Sequence, residues 1–262
     1  MPVIVVADHA VAPRGATTAV AERQAIAEAV DATPRGSQVL LLSSDEVGWR
    51  ESRAVRLAYG REDIGLLRCD VPVTALFVVA SALAMFPDSE LGLAGAASAM
   101  VTRASSTFAL LSSVGSLERP NPHLGLHAAS LWPASRFLVD WELQRVSRAR
   151  ELPPLEGYIA VIARSASAFA GVDDASLPAE RVELELGPGA SPWRCARWVE
   201  VTTLHEWLED IVGHVLRPEV TRTFPICPSC GRAGWGQVCV FCQLPLTDVA
   251  LSSAAVTPGG LA

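Results

Sequence analysis

Apolar and polar positions follow two different patterns along the first half of the chain. Short runs rich in Val, Leu and Ile predict strands over residues 3–7, 38–43 and 64–68. Apolar residues at helical spacing predict helices over residues 18–30, 49–59 and 73–86. Strands that alternate with helices are typical of a parallel or mixed sheet covered by helices. The sequence therefore predicts an α/β fold.

The second half of the chain carries weaker patterns. Two more buried strands are predicted over residues 91–94 and 108–114. Turn signals at Pro120, Pro122 and Gly125 then indicate a boundary near residue 118. Beyond this boundary the patterns predict a helix over residues 136–150, strands over 158–164, 181–186 and 194–202, and a helix over 204–216.

Length and composition indicate one main body with a small accessory module. A chain of 262 residues that is 50% hydrophobic has enough apolar surface to bury a core. We expect a first half at residues 1–117, a second half at 118–218, a ribbon at 219–247 and a flexible tail at 248–262. The tail is assigned because it is rich in small residues and Pro.

Net charge and the N-terminal residues narrow the classes of function. The formal charge of −7 disfavours nucleic-acid binding, because phosphate contacts need clustered cations. No cationic segment precedes an apolar one at the N-terminus, so secretion is not expected. The longest apolar run, residues 71–86, is shorter than the roughly 20 residues that span a bilayer. We therefore expect a cytoplasmic protein that binds neither nucleic acid nor membrane.

Four of the six cysteines form two closely spaced pairs near the C-terminus. They are Cys227, Cys230, Cys239 and Cys242. Two Cys-x-x-Cys pairs separated by glycine-rich turns are typical of a tetrahedral four-thiolate site, which zinc prefers. Such a site has no open coordination position, so the zinc is expected to be structural. Disulfides and a rubredoxin-like iron site are the alternatives.

The predicted zinc ribbon also carries apolar residues that need a partner surface. They include Phe224, Ile226, Trp235, Val240 and Phe241. We expect these side chains to dock the ribbon onto the main body or onto a partner protein. The alternative is that they form only the minimal core of the ribbon itself.

Cys69 is the candidate nucleophile of the main body. It lies at the end of a predicted strand and directly before the most apolar helix of the chain. The positive end of a helix dipole stabilises a thiolate, and backbone N–H groups at the same turn can hold an oxyanion. The remaining cysteine, Cys195, is expected to be an ordinary half-buried thiol.

The surroundings of Cys69 resemble the nucleophile region of the thiolase and β-ketoacyl synthase superfamily. The resemblance runs from residue 64 through the apolar segment to residue 100, and it also takes in residues 38–44 and 53–60. It covers roughly residues 3–117. It implies a thiolase-like layered fold with a shortened second half, in which Cys69 accepts an acyl group. It also implies acyl-CoA or an acyl carrier protein as partner, and either a homodimer or a ketosynthase-like partner subunit.

The sequence departs from this family at several positions. Asp70 follows the cysteine where the family has a small residue, and a neighbouring carboxylate raises the pKa of a thiol. Ala96 replaces a glycine of the family turn. The partner histidines of condensing enzymes are also missing. His123 and His127 lie among turn residues, and His9 follows a predicted strand end where ligand contacts are common.

Two functional hypotheses follow from these observations. The first is a ketosynthase-like protein of polyketide or fatty-acid assembly, in a non-condensing or partner role, or in acyl transfer through Cys69. The second is a zinc-ribbon interaction scaffold without thioester chemistry, in which Cys69 is a buried core thiol.

Overall fold

Three parallel strands form the first sheet of the protein. The computed structural model describes residues 3–6, 23–130, 132, 135–166, 177–186 and 192–246. The strands are β1 (Val3–Val6), β2 (Val39–Ser43) and β3 (Ile64–Arg68), in the order β1-β2-β3. All side chains of β2 are buried because both faces of the sheet are covered. His9, the predicted start of the first helix and the predicted tail lie outside the described residues.

Two helices cover one face of this sheet. They are α1 (Arg23–Asp31) and α2 (Glu46–Tyr59). Helix α2 begins before its predicted start because the Asp45 side chain caps it, accepting a hydrogen bond from the Gly48 N–H at 2.7 Å. It ends where Gly60 adopts the left-handed conformation with φ 58°.

The second sheet is six-stranded and mostly antiparallel. Its strands are β4 (Ser105–Leu111), β5 (Phe137–Asp140), β6 (Arg145–Arg148), β7 (Ile159–Arg164), β8 (Glu180–Leu184) and β9 (Trp198–Leu204). The strand order is β6-β5-β4-β9-β7-β8, and only the β7–β8 pair is parallel. Strand β9 lies inside the sheet, and its seven side chains are all buried.

Helix α3 (Val73–Ala84) joins the two sheets. It contacts β1 on one side and β4, β7 and β9 on the other. Nine of its twelve residues are buried, which explains why the segment is apolar on almost every face. The predicted helix is therefore confirmed, and it ends two residues before the predicted end.

The remaining helices are short. A 3-10 helix spans Asp88–Leu93, followed by α4 (Ala94–Arg103), α5 (Leu124–Ala129), α6 (Leu208–Val215) and α7 (Pro218–Thr221). Among the helices of the described residues, none has the length and hydropathy needed to cross a bilayer.

Two predicted elements, one in each half of the chain, are wrong. Residues 91–94 are helical rather than a buried strand, because a short apolar run looks the same in either buried element. Residues 136–150 form the hairpin β5–β6 instead of a helix. Burial alternates along β5, with Phe137 and Val139 inside, so the governing period is two residues.

The ends of two other predicted elements also shift. Strand β9 runs to Leu204, beyond the predicted 194–202, so the helix predicted over 204–216 begins only at Leu208. The α/β class is confirmed as a mixed α/β fold. The expected thiolase-like layering is not supported, since its second buried strand is part of a helical segment.

Candidate functional site

The four paired cysteines come together at one point. The sulfur atoms of Cys227, Cys230, Cys239 and Cys242 all lie within 4.8 Å of one another. The Sγ atoms of Cys230 and Cys239 are 3.7 Å apart. A tetrahedral site with metal–sulfur bonds of about 2.3 Å requires sulfur–sulfur distances of about 3.8 Å. The four side chains can therefore bind one metal ion.

Each cysteine pair lies in a turn with the same hydrogen-bond pattern. The Cys227 and Cys239 N–H groups donate to the carbonyls five residues later, at 2.8 and 2.9 Å. The Gly231 and Gln243 N–H groups donate back to those same two cysteines, both at 2.9 Å. Gly231 and Gln243 also share a positive φ, 70° and 57°. The two turns, twelve residues apart, thus present their sulfur atoms in equivalent ways.

The cysteine ribbon, which we define as residues 225–246, closes the free edge of the first sheet. Strand β3 is an edge strand, and its Leu66 N–H donates to the Val240 carbonyl at 2.9 Å. The Gln243 side-chain amide donates to that same carbonyl at 2.8 Å. An unpaired strand edge is thereby covered. Of the two docking surfaces expected for the ribbon, the structure shows the main body.

Glycines of the body allow this close contact. A Cβ at Gly92 would lie 2.0 Å from the Ala233 carbonyl oxygen. A Cβ at Gly95 would lie 2.9 Å from the Trp235 ring. The ribbon therefore packs against the backbone of the 3-10 helix and α4 at a distance that larger residues would prevent.

A cleft of about 590 Å³ lies where the ribbon meets the body. It is bounded by α2, by the end of β3 and the residues that follow it, by α4 and by the ribbon. Its apolar lining includes Trp49, Leu67, Val71, Trp235, Val238 and Val240. Arg68 is the only cationic residue among the described residues that line it, and Asp70 lies beside it. The Arg68 guanidinium is held by Asp70 at 2.7 Å and by Glu46.

Cys69 lies at this cleft, between β3 and α3. Its N–H donates to the Ser43 carbonyl at 2.8 Å, and its Sγ is 2.9 Å from Ser98 Oγ. Only 7% of the residue is exposed. Burial raises the pKa of the Cys69 thiol to about 11; Ser98 opposes the rise and the Asp70 charge adds to it. Burial therefore favours the protonated form of the Cys69 thiol.

The other candidate residues that the structure describes lie away from the cleft. No histidine of the described residues lines it. His123 precedes helix α5, which carries His127, and His205 hydrogen bonds to Ser106 at 2.8 Å. Cys195 is buried elsewhere, with its Sγ 3.4 Å from the Arg197 carbonyl.

A buried carboxylate was not singled out from the sequence. Glu200 of β9 is fully buried, and its Oε1 accepts hydrogen bonds from the Thr74 N–H and hydroxyl, both at 2.6 Å. Its Oε2 accepts from the Trp193 indole N–H at 2.7 Å. The Thr74 hydroxyl continues to Thr202 and then to Thr107. Burial raises the pKa of the Glu200 carboxyl, and the hydrogen bonds from Thr74 and Trp193 oppose the rise.

The sequence carries one signal that could have revealed this site. Glu200 is the only charged residue within an otherwise uncharged, fully buried strand, β9. A charge in such a position requires hydrogen-bond partners, and here they come from the start of α3. The carboxylate therefore ties β9 to the central helix, joining the two sheets.

The architecture defines a mixed α/β protein with a parallel sheet, a mixed sheet and a ligand-sized cleft. No family model and no curated protein matches the chain. A DegV-family protein from Eubacterium eligens, loaded with heptadecanoic acid, matches with a TM-score of 0.52 and 8% identity. The match covers 78% of this chain and 99% of that one. The chain therefore shares the fold of that protein.

Two other solved structures are similar at lower scores. DegV-family protein Cg2579 from Corynebacterium glutamicum has a TM-score of 0.49 and 12% identity, covering 78% of this chain and 96% of its own. The fatty acid kinase B3 protein of Streptococcus pneumoniae, loaded with linoleic acid, has a TM-score of 0.46 and 9% identity. That match covers 78% of this chain and 99% of the pneumococcal one.

The fold comparison overturns the resemblance to thiolases and β-ketoacyl synthases. The chain shares a DegV fold, so the ketosynthase-like function and the assignment to polyketide assembly are wrong. The resemblance arose because most matched residues around Cys69 are small and apolar, as in any buried strand–helix unit. The acyl-accepting role of Cys69 stays a prediction that no observation here tests.

Proposed function

We propose that this chain binds a fatty acid, with the acyl chain in the cleft between body and ribbon. The observation that carries the proposal is the cleft itself, which combines an apolar lining with one guanidinium. Support comes from the shared fold of the protein that was crystallised with heptadecanoic acid. The proposal keeps an acyl ligand and leaves out a ketosynthase-like partner subunit.

The size and chemistry of the cleft suit this ligand. A volume of about 590 Å³ lies within the range of about 300–1,000 Å³ that is typical of small-molecule sites. Each methylene group that leaves water contributes about 0.8 kcal/mol. Trp49, Leu67 and Val238 supply apolar surface for such a chain. Arg68 supplies the cation of the lining, and because Asp70 and Glu46 already engage its guanidinium, a fatty-acid carboxylate has to displace one of these two carboxylates to bind it.

We also propose that the four cysteines hold a structural zinc ion. Four thiolates in a tetrahedral arrangement suit zinc, and no position is left for a substrate. The equivalent hydrogen bonds of the two turns support a closed site. Zinc analysis of the purified protein by atomic emission tests this assignment. We expect about one zinc ion per chain, and iron in its place would contradict it.

Acyl-CoA and acyl carrier protein remain predicted partners. A homodimer and a cytoplasmic location also remain predictions. The residue boundaries 1–117, 118–218 and 219–247 remain predictions as well. None of these is needed for the proposed binding of a free fatty acid.

A matched pair of ligands tests the role of Arg68. We expect the native chain to bind palmitic acid more tightly than hexadecanol, measured by competition with a fluorescent fatty acid. Arg68→Met should weaken binding of the acid by about tenfold and leave the alcohol unchanged, because only the acid loses a charged partner. Equal losses for acid and alcohol would contradict the assignment of the carboxylate to Arg68.

A further inference from the structure

One wall of the cleft belongs to the cysteine ribbon. Trp235, Val238, Val240 and Gln243 line the cleft from that side. Val240 lies between Cys239 and Cys242, and Gln243 directly follows Cys242. Half of this wall, Val240 and Gln243, therefore belongs to the turn that presents two of the four sulfur atoms.

The ribbon has little regular secondary structure beyond its hydrogen-bonded turns. Among its residues, the only strand pairings are two isolated bridges, Ile226 with Ala233 and Val238 with Pro245. Its most buried large side chain, Phe241, packs against Gly65 of the body. A module of this size without an extended core depends on a metal or another cross-link to hold its fold.

The ribbon also touches the backbone that shapes the opposite side of the cleft. Ala233 lies against Gly92, and Trp235 lies against Gly95, at the start of the helix that carries Ser98. On the other flank, the Val240 carbonyl accepts the hydrogen bond from Leu66. Any rearrangement of the turns would therefore change the width of the cleft.

We propose that occupancy of the four-cysteine site by metal controls ligand affinity at the cleft. With metal bound, the ribbon completes the wall; without metal, the wall separates from β3 and α4 and the cleft opens. The inference rests on the proposed binding of a fatty acid. Because linkage is reciprocal, bound fatty acid must also strengthen metal binding by the same factor.

Removal of metal tests the coupling in the intact chain. The dissociation constant for cis-parinaric acid, a fluorescent fatty acid, is measured before and after stripping with a chelator and after zinc is restored. We expect affinity to fall by at least about tenfold and to return with zinc. Cys195→Ser is the matched control, because this cysteine lies outside the ribbon and should behave as native.

Gly92→Ala separates the effect of metal occupancy from the effect of the position of the wall. It leaves all four cysteines in place but puts a Cβ 2.0 Å from the Ala233 carbonyl oxygen, so the ribbon must shift. We expect the variant to keep its zinc and to bind cis-parinaric acid at least about fivefold more weakly than native protein. Affinity equal to native in this variant and in the stripped native chain would overturn the inference.

Alkylation of Cys69 gives a readout that needs no fatty acid. The tryptic peptide 69–103 contains Cys69 as its only cysteine, so its modification by iodoacetamide can be followed by mass spectrometry. Opening of the wall should speed the reaction by at least about tenfold after metal removal. A native chain that fails to bind fatty acid but shows this acceleration would refute the proposed function and keep the metal-controlled wall. An unchanged rate would refute the wall itself.

Discussion

The body and the cysteine ribbon differ in how much regular secondary structure stabilises them. In the body, α3 is buried along most of its length between two sheets, and apolar contacts hold the three layers together. In the ribbon, the only strand pairings are isolated bridges between two hydrogen-bonded turns, four sulfur atoms converge at their centre, and Phe241 joins the core of the body. The body therefore derives its order from burial, and the ribbon combines burial against the body with a convergent set of metal ligands. The cleft lies at the boundary between these two regimes.

Loss of one sulfur ligand should have the largest effect and should be confined to the ribbon. We expect Cys230→Ser to lose its zinc, because the site is left with three of its four thiolate ligands. The ribbon should then lose its order, since structural zinc contributes about 10–16 kcal/mol to the folding of small modules. Hydrogen exchange should show lost protection at residues 225–246 and at the Leu66 amide, with α3 unchanged. Cys195→Ser serves as the control. Full zinc content in Cys230→Ser would contradict the assignment of this ligand.

Removal of the buried carboxylate should have the largest effect on the body. We expect Glu200→Ala to lower the free energy of unfolding by about 3–5 kcal/mol, because buried donors of Thr74 and Trp193 lose their acceptor. Urea denaturation measures this change. Glu183→Ala, an exposed carboxylate in the same sheet, should cost about 0–1 kcal/mol. Similar losses in the two variants would contradict a structural role for Glu200.

Filling the contact between the two regions should have an intermediate effect. Gly92→Ala should lower the free energy of unfolding by about 1–3 kcal/mol, because the added Cβ meets backbone rather than a flexible side chain. The control is Gly213→Ala in α6, where a Cβ meets nothing within 4 Å. That change should raise stability by up to about 1 kcal/mol, since Ala favours a helix. Equal changes in the free energy of unfolding of the two variants would contradict the close packing of the ribbon against Gly92.

The pH dependence of stability should give the smallest effect. Because burial raises the pKa of Glu200, this group stabilises the fold fully below its unfolded pKa of about 4.3. The contribution is lost as the pH rises through the higher folded pKa. The free energy of unfolding of the native chain relative to Glu200→Gln should therefore fall, by up to about 1.4 kcal/mol per pH unit. A relative stability that rises with pH would reverse the sign and contradict the burial argument.

Local patterns predicted some parts of the molecule well. The structure confirms the predicted span of β3, residues 64–68. Polar turn residues precede this apolar run, and a segment that contains proline follows it. The four cysteines were found from their spacing alone, since all four candidate metal ligands lie within sixteen consecutive residues, 227–242. In both cases the decisive interactions are close in sequence.

Non-local interactions explain what the sequence did not reveal. Glu200 and Thr74 are 126 residues apart, so no local pattern pairs them. The hairpin β5–β6 was predicted as a helix. Pairing of β5 with β4 makes this segment a strand, and the short apolar pattern alone does not distinguish a strand from a helix. The cleft is formed by α2, β3, α4 and the ribbon, which are distant in sequence, so no local pattern predicted it. The apolar run around Cys69 was assigned to a family that resembles it only in composition.

The most direct test of the account is fatty-acid binding by a chain whose cleft has been filled. Ala99 lines the cleft from α4 and is exposed, so Ala99→Trp occupies the space without entering the core. Ala58→Trp, at an exposed position of α2 away from the cleft, is the matched control. Titration with palmitic acid should show tight binding to the native chain and to Ala58→Trp, and at least about tenfold weaker binding to Ala99→Trp. Equal affinity in all three chains, or no binding by the native chain, would contradict the proposed fatty-acid site.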